Sequence, residues 1–136
     1  MGVVILVLTG DERIAEELRK EVQKHDPNVK TVPTKDKEKV KEEIEKARKQ
    51  GRPIVVFVRG GDDERAKDIA EYAQKEGLRV IVIIVSQDEE ALRKGYEDKK
   101  KKGYDVYTSR NEDEAKKKLK EALEKSGSLE HHHHHH

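Results

Sequence analysis

The sequence predicts a three-layer α/β sandwich in which helices cover both faces of a five-stranded parallel sheet. Two observations lead to this fold class. Five short apolar or β-branched runs alternate along the chain with five helix-patterned stretches, and such alternation is typical of parallel α/β folds. The first, third and fourth runs are also almost continuously hydrophobic, as strands buried on both faces are.

The predicted strands differ in whether polar residues interrupt them. The second and fifth alternate with polar side chains, whereas the other three are rich in Val and Ile. Polar and charged positions are typical of edge strands, because charge discourages further pairing. We therefore expect the second and fifth strands at the two edges of the sheet. In chain order, the predicted strands span residues 3–9, 29–32, 53–58, 79–85 and 104–108.

Each predicted helix carries a narrow apolar stripe at a spacing of three to four residues, and its remaining surface is charged. Right-handed crossovers place helices 1 and 5 on one face of the sheet and helices 2, 3 and 4 on the other. The stripes, helix by helix, are Ile14, Ala15, Leu18 and Val22; Val40, Ile44 and Ala47; Ala66, Ile69, Ala70 and Ala73; Ala91, Leu92 and Tyr96; and Ala115, Leu119, Ala122 and Leu123.

The strand order has two solutions at this stage. We prefer the order 2-1-3-4-5, which is flavodoxin- or Rossmann-like, because strands 1 and 2 then pair locally. The alternative is the P-loop-like order 2-3-1-4-5. Both orders place strands 2 and 5 at the edges, so hydrophobicity does not separate them.

The residues that begin and end the predicted helices follow a regular pattern. Gly51, Gly77 and Gly103 each follow a helix and precede a strand, which predicts left-handed C-terminal caps. Ser86 and Ser109 each precede Glu by three residues, which predicts two capping boxes. Acidic residues occupy the helix starts and lysines the helix ends, so the side-chain charges of each helix interact favourably with its dipole.

The chain resembles the de novo designed ideal α/β proteins, in particular the Rossmann-like (flavodoxin-like) designs. The segments 39–47 (KVKEEIEKA) and 72–80 (YAQKEGLRV), together with the minimal loops, carry the resemblance. It implies a scaffold made to test folding rules, with no natural biochemical function, no catalytic residues and no cofactor. It also implies a monomer for which no partner is expected.

Composition and charge are consistent with a small core covered by charged helices. Residues 1–126 are predicted to form one domain, and residues 127–136 are interpreted as a cloning scar and His tag. The 30 basic and 29 acidic residues are interspersed, which argues against nucleic acid or a membrane as a partner. The chain has no cysteine, and no apolar run approaches the ~18 residues of a membrane span. We expect a soluble recombinant protein that is expressed in the cytoplasm.

Ligands of open parallel sheets bind beyond the C-terminal ends of the strands. After the first strand this chain has only Thr9-Gly10-Asp11, without the G-x-G-x-x-G or G-x-x-x-x-G-K-[ST] pattern that approaches phosphates. Carboxylates stand at the helix starts where a phosphate would bind. Like charges ~4 Å apart repel by about 1 kcal/mol even in bulk water. The sequence therefore predicts no nucleotide site.

An alternative function is a phosphate- or nucleotide-binding module that uses Gly10, Gly60 and Gly61. Paired glycines can cradle an anion, and Arg59 adds a positive charge. A loop that needs unusual dihedrals before an acidic cap is the simpler interpretation of the pair. The third strand also lacks the terminal Asp that receives the phosphoryl group in response-regulator receivers.

Three other features have structural interpretations. His25, which is the one histidine outside the tag, ends the first helix and suits its dipole, and it has no second His or Cys with which to bind a metal. Four lysines at residues 99–102 are interpreted as a solvated helix end rather than a nucleic-acid site. Gly95 lies within the fourth helix at a cost of about 1 kcal/mol relative to Ala, which a close approach to a strand or side chain would explain.

Overall fold

The computed structural model describes residues 2–34, 36–59 and 63–127, in which five strands and five helices alternate. β1 and β4 have their predicted bounds, whereas β2, β3 and β5 lie one residue further along the chain than predicted. The elements are β1 Val3–Thr9, α1 Glu12–His25, β2 Lys30–Pro33, α2 Lys37–Gln50, β3 Ile54–Arg59, α3 Asp63–Lys75, β4 Arg79–Val85, α4 Glu89–Lys101, β5 Asp105–Ser109 and α5 Glu112–Gly127. None of the described helices is both long and apolar enough to cross a membrane.

The sheet is parallel throughout, and its order is β2-β3-β1-β4-β5. The alternative order 2-3-1-4-5 is confirmed, and the preferred order 2-1-3-4-5 is wrong. β1 lies at the centre, where Val4 is paired with Ile54 of β3 on one side and with Val80 of β4 on the other.

Local pairing of β1 with β2 has only a small entropic advantage over the observed order. Loop-closure entropy is a weak constraint, since doubling the length of a loop costs only about 0.6 kcal/mol. The connection from α1 to β2 spans residues 26–29, whereas the other helix-to-strand connections span 51–53, 76–78 and 102–104. Those three shorter connections each contain a glycine with positive φ, namely Gly51, Gly77 or Gly103. The longer connection without such a glycine is the one that carries the chain past β3.

Two apolar cores lie on the two faces of the sheet, and the predicted helix layering is confirmed. α2, α3 and α4 cover the face to which Val4, Leu6, Val56 and Val82 contribute. α1 and α5 cover the opposite face, which is formed by Ile5, Val7, Val55, Ile81 and Ile83. Each fully buried large apolar side chain contributes roughly 1.5–3 kcal/mol. The buried helix residues that face the two cores include Val40, Ile44, Ile69 and Leu92 on the first side, and Leu18, Val22 and Leu119 on the second.

The apolar stripe of α4 is narrower than predicted. Leu92 is buried, but Ala91 and Tyr96 are exposed. A Cβ atom at Gly95 would lie 2.9 Å from the Cδ1 atom of Ile84 on β4. α4 therefore contacts the sheet along the line of Leu92 and Gly95, with Ala91 and Tyr96 at either side. The close approach to a strand residue also explains the glycine within the helix.

The left-handed glycines are confirmed. Gly51, Gly77 and Gly103 have φ values of 66°, 79° and 86°. The backbone N–H of Gly51 donates to the carbonyl oxygens of Ala47 and Arg48, as in helices that end with a left-handed residue.

Candidate functional site at the C-terminal edge of the sheet

Four of the loops that lead from a strand into a helix share one sequence spacing. A Ser or Thr at or just after the end of the strand is followed two residues later by an Asp or Asn whose side chain accepts hydrogen bonds from the first turn of the helix. The pairs are Thr9 and Asp11, Thr34 and Asp36, Ser86 and Asp88, and Ser109 and Asn111.

Asp11 closes the loop after the central strand. Its Oδ1 atom accepts hydrogen bonds from the backbone N–H groups of Arg13 at 2.9 Å and Ile14 at 3.4 Å. The N–H of Asp11 itself donates to Oγ1 of Thr9 at 3.2 Å. Free amides of this kind are what bind a phosphate at a helix N-terminus. In α1 the protein's own carboxylate takes that place.

The predicted capping boxes at Ser86 and Ser109 are wrong, because the N-caps lie two residues further on. Oδ1 of Asp88 accepts the N–H of Glu90 at 3.0 Å, and Oδ1 of Asn111 accepts the N–H of Glu114 at 2.9 Å. The Ser86 Oγ instead accepts the N–H of Asp88 at 3.1 Å. The recurring Ser/Thr-x-Asp/Asn spacing is the signal in the sequence that would have located these caps.

At the two edge strands the loop hydroxyls join the edge to its inner neighbour. Thr34, which follows β2, donates its hydroxyl to the carbonyl oxygen of Phe57 on β3 at 3.0 Å. Ser109 on β5 donates to the carbonyl oxygen of Ile84 on β4 at 3.4 Å. Both residues are buried, and buried hydroxyls need such partners. They are structural groups rather than nucleophiles.

Of the alternative anion site, Gly10 is described, while Gly60 and Gly61 lie outside the described residues. Gly10 is exposed, its φ is not positive, and a Cβ atom built on it would meet nothing within 4 Å. Position 10 therefore does not require glycine for packing within the protein.

A cleft of about 750 Å³ lies beside Gly10, between α3 and α4, and we refer to it as the α3–α4 cleft. Residues of β1 and β4, among them Leu8 and Ile84, form its floor. The lysines at 100–102 are exposed, in keeping with a solvated helix end, and Lys101 and Lys102 also line the cleft. Among the described residues, five lysines and two carboxylates line it: Lys67, Lys94, Lys99, Lys101, Lys102, Glu64 and Asp98.

The clear pKa shifts among the described residues belong to structural contacts. The hydrogen bond from Lys37, whose Nζ lies 2.7 Å from Oδ2, lowers the pKa of Asp68. Burial raises the pKa of Tyr104. His25 is exposed in the last turn of α1. Over the described parts of the chain, no three side chains of His, Cys, Asp or Glu are grouped so as to hold a metal ion.

Similarity to known proteins is confined to solved structures. No protein-family model matches the chain, and no curated protein sequence is similar to it. The chain is 68% identical to a de novo designed PLOOP2X3_50 fold protein solved by NMR, over 100% of both chains and with a TM-score of 0.86. A second de novo designed protein is 69% identical over 100% of both chains, with a TM-score of 0.82. A designed protein described as having the P-loop NTPase fold is 29% identical over the same coverage, with a TM-score of 0.81.

Proposed function

Because the chain belongs to the de novo designed α/β proteins of the P-loop fold type, we propose that it is a monomeric, self-capped scaffold that binds no phosphate or nucleotide at its helix N-termini. It is a designed scaffold with no natural biochemical function, and it is not an enzyme. The resemblance to designed α/β proteins is thereby confirmed, and the observed strand order agrees with the P-loop-type designs rather than with the flavodoxin-like ones.

One observation carries the proposal about phosphate. The β1–α1 loop lies at the centre of the sheet, and Asp11 accepts the Arg13 and Ile14 amides there. A phosphate would have to displace a covalently tethered carboxylate and tolerate its negative charge nearby, at a repulsion of about 1 kcal/mol or more. Asp36 and Asp88 are placed in the same way at the starts of α2 and α4.

The edge strands support the monomeric state. β2 has four residues and ends at Pro33, which has no N–H to donate to another strand. β5 carries Asp105, which is paired with Arg79 at 2.7 Å. Short edge strands with proline and charge resist pairing between copies. We also propose that residues 1–126 form the single folded domain, that the protein is expressed in the cytoplasm, and that residues 127–136 are the scar and tag.

The test is a titration of ¹⁵N-labelled protein with inorganic phosphate and with MgATP, followed by amide NMR. We expect the chemical shifts of the Arg13 and Ile14 amides to stay unchanged at millimolar phosphate or MgATP. Saturable shifts of those amides, or of Gly10, Gly60 and Gly61, would support the alternative phosphate- or nucleotide-binding module. Light scattering on the same sample should give one mass near the 15.7 kDa of the chain, and a mass twice as large would contradict the monomer.

A further inference from the structure

We propose that the α3–α4 cleft binds small aromatic anions, with the ring on its apolar floor and the anionic group among its lysines. This site is separate from the helix N-termini considered above, since its polar lining comes mainly from the sides of α3 and α4. The proposal concerns a binding capacity of the fold, whatever purpose the fold was made for.

Charge is the first observation. The chain as a whole carries a formal charge of only +1, yet the described residues that line the cleft include five lysines and two carboxylates. Among the described residues, no carboxylate oxygen lies within 4.0 Å of the ammonium groups of Lys67, Lys94, Lys99 or Lys101, and Lys102 has Glu71 at 3.8 Å. Lysines beside a concave surface that lack a close carboxylate, as Lys94, Lys99 and Lys101 do among the described residues, attract an anion.

The apolar floor is the second observation. Leu8 of β1 is half-buried, and Ile84 of β4 is 8% exposed. Gly95 lets the backbone of α4 lie directly against Ile84, since a Cβ atom there would stand 2.9 Å from its Cδ1 atom. Ala91, one turn earlier on α4, is small and exposed. A flat ring can therefore lie against Leu8 and Ala91 and remove their exposed apolar surface from water.

The shape of the cleft is the third observation. α3 packs against α2, whereas α4 packs mainly on β4 and β5, which leaves a gap between α3 and α4. At the C-terminal ends of these helices the gap is bridged by Gln74, whose Nε2 donates to the carbonyl oxygen of Lys102 at 2.9 Å. The volume of about 750 Å³ lies within the range of roughly 300–1,000 Å³ that holds small ligands.

The three observations together specify the ligand class. Inorganic phosphate has the charge but no apolar surface, and an uncharged aromatic compound has the ring but no anionic group. Naphthalene-2-sulfonate has both, and it is too small to need contacts outside the cleft. It is the probe for the experiment. Sulfate, which has the charge but no ring, and naphthalene-2-methanol, which has the ring but no charge, are the two control compounds.

The experiment is an amide NMR titration of the full chain with the three compounds. We expect saturable shifts at Leu8, Ser86, Lys94 and Gly95 with naphthalene-2-sulfonate, and binding at least about five-fold weaker with naphthalene-2-methanol, because one lost ion contact is worth about that factor. Sulfate should also bind more weakly. Shifts spread over the surface, or equal affinity for the charged and uncharged naphthalenes, would overturn the proposal.

Two variants test the residues themselves. K94Q/K101Q removes two cleft lysines and should weaken naphthalene-2-sulfonate binding about five-fold or more. K100Q/K117Q changes the net charge equally at exposed positions outside the cleft lining and should retain the original affinity. Ala91→Leu keeps the charge and places another strong helix former on α4, but it should obstruct the floor and weaken binding.

Equal weakening by the two lysine pairs would reduce the effect to general charge and contradict the cleft. Unchanged affinity of both K94Q/K101Q and Ala91→Leu for naphthalene-2-sulfonate would also contradict the proposed cleft site. These outcomes are distinguished from the phosphate titration at the Arg13 and Ile14 amides, which lie outside the cleft lining, and at Lys94 and Gly95, which lie within it. Gly10 lines the cleft and does not separate the two sites. If naphthalene-2-sulfonate does not bind, the proposal of a self-capped scaffold is unaffected. If phosphate binds at α1, the proposal about the α3–α4 cleft is unaffected.

Discussion

Gly95 of α4 faces Ile84 of β4 so closely that a methyl group at position 95 would lie 2.9 Å from the isoleucine Cδ1 atom. The glycine weakens the helix by about 1 kcal/mol relative to Ala, but it lets α4 rest on the sheet. The same contact fixes the width of the α4 stripe, because Leu92 and Gly95 face the sheet while Ala91 and Tyr96 are exposed. One position thus connects helix propensity, packing and the shape of the surface.

Gly95→Ala should therefore depend on what stands at position 84. With Ile84 present, the gain in helix propensity is offset by the rotamer change that Ile84 must make, which costs about 0.5–1.5 kcal/mol. In the Ile84→Val background the Cδ1 atom is absent, so Gly95→Ala should raise the free energy of unfolding by its full gain in helix propensity. A double-mutant cycle by chemical denaturation should give a coupling free energy of about 1 kcal/mol. If Gly95→Ala has the same effect in both backgrounds, the close contact is not what requires the glycine.

Tyr104→Phe should stabilise the protein. Tyr104 is 3% exposed, and its hydroxyl oxygen is buried without a hydrogen-bond partner among the described residues. An unsatisfied buried polar group costs roughly 1–3 kcal/mol, so loss of the hydroxyl should raise the free energy of unfolding by about 1 kcal/mol. Tyr96→Phe is the matched control, because Tyr96 is 40% exposed, and it should change little. A destabilised Tyr104→Phe would mean that the hydroxyl has a partner.

The same residue should make stability depend on alkaline pH. Burial raises the pKa of Tyr104 above its ordinary value, so the unfolded chain loses this proton at lower pH than the folded protein does. The stabilisation from the neutral phenol is complete below about pH 10 and is lost as the pH rises through the unfolded value toward the higher folded one. Wild-type stability should therefore fall more steeply above about pH 10 than that of Tyr104→Phe. Parallel curves for the two proteins would contradict the shift.

Asp11→Ala should shorten or destabilise α1. The Asp11 carboxylate accepts the Arg13 and Ile14 amides, and replacing an N-cap Asp by Ala typically costs about 1 kcal/mol. Asp11→Asn keeps an acceptor oxygen and should retain most of the stability. Thermal and denaturant unfolding of wild type, Asp11→Asn and Asp11→Ala should show stability that decreases in that order. A free energy of unfolding that is equal for Asp11→Ala and wild type would mean that the cap is not formed.

Much of the fold could be predicted from local signals. The bounds of β1 and β4, the two-sided layering and the left-handed Gly51, Gly77 and Gly103 depend on hydrophobic periodicity and backbone sterics, which are visible in short windows of sequence. The strand order could not be predicted in this way. It depends on how far the connection at residues 26–29 carries the chain, and both orders bury the same residues.

The candidate site was only partly predictable. The absence of phosphate-binding motifs and the acidic helix starts were evident from the sequence, but the N-caps at Asp88 and Asn111 were hidden by the overlapping Ser-x-x-Glu pattern at Ser86 and Ser109. The α3–α4 cleft could not be predicted at all. Lys67 and Lys94 belong to different helices, and only the spacing of those helices on the sheet places them around one cavity.

At the middle of the sheet, the Asp11 carboxylate occupies the N-terminus of α1 by accepting the Arg13 and Ile14 amides. The most direct measurement is a titration of wild type and Asp11→Ala with inorganic pyrophosphate, followed at the Arg13 and Ile14 amides. We predict no saturable shift in wild type and a shift in Asp11→Ala, where the amides are free. Saturable binding of the same affinity in both proteins would show that the carboxylate does not occupy this position.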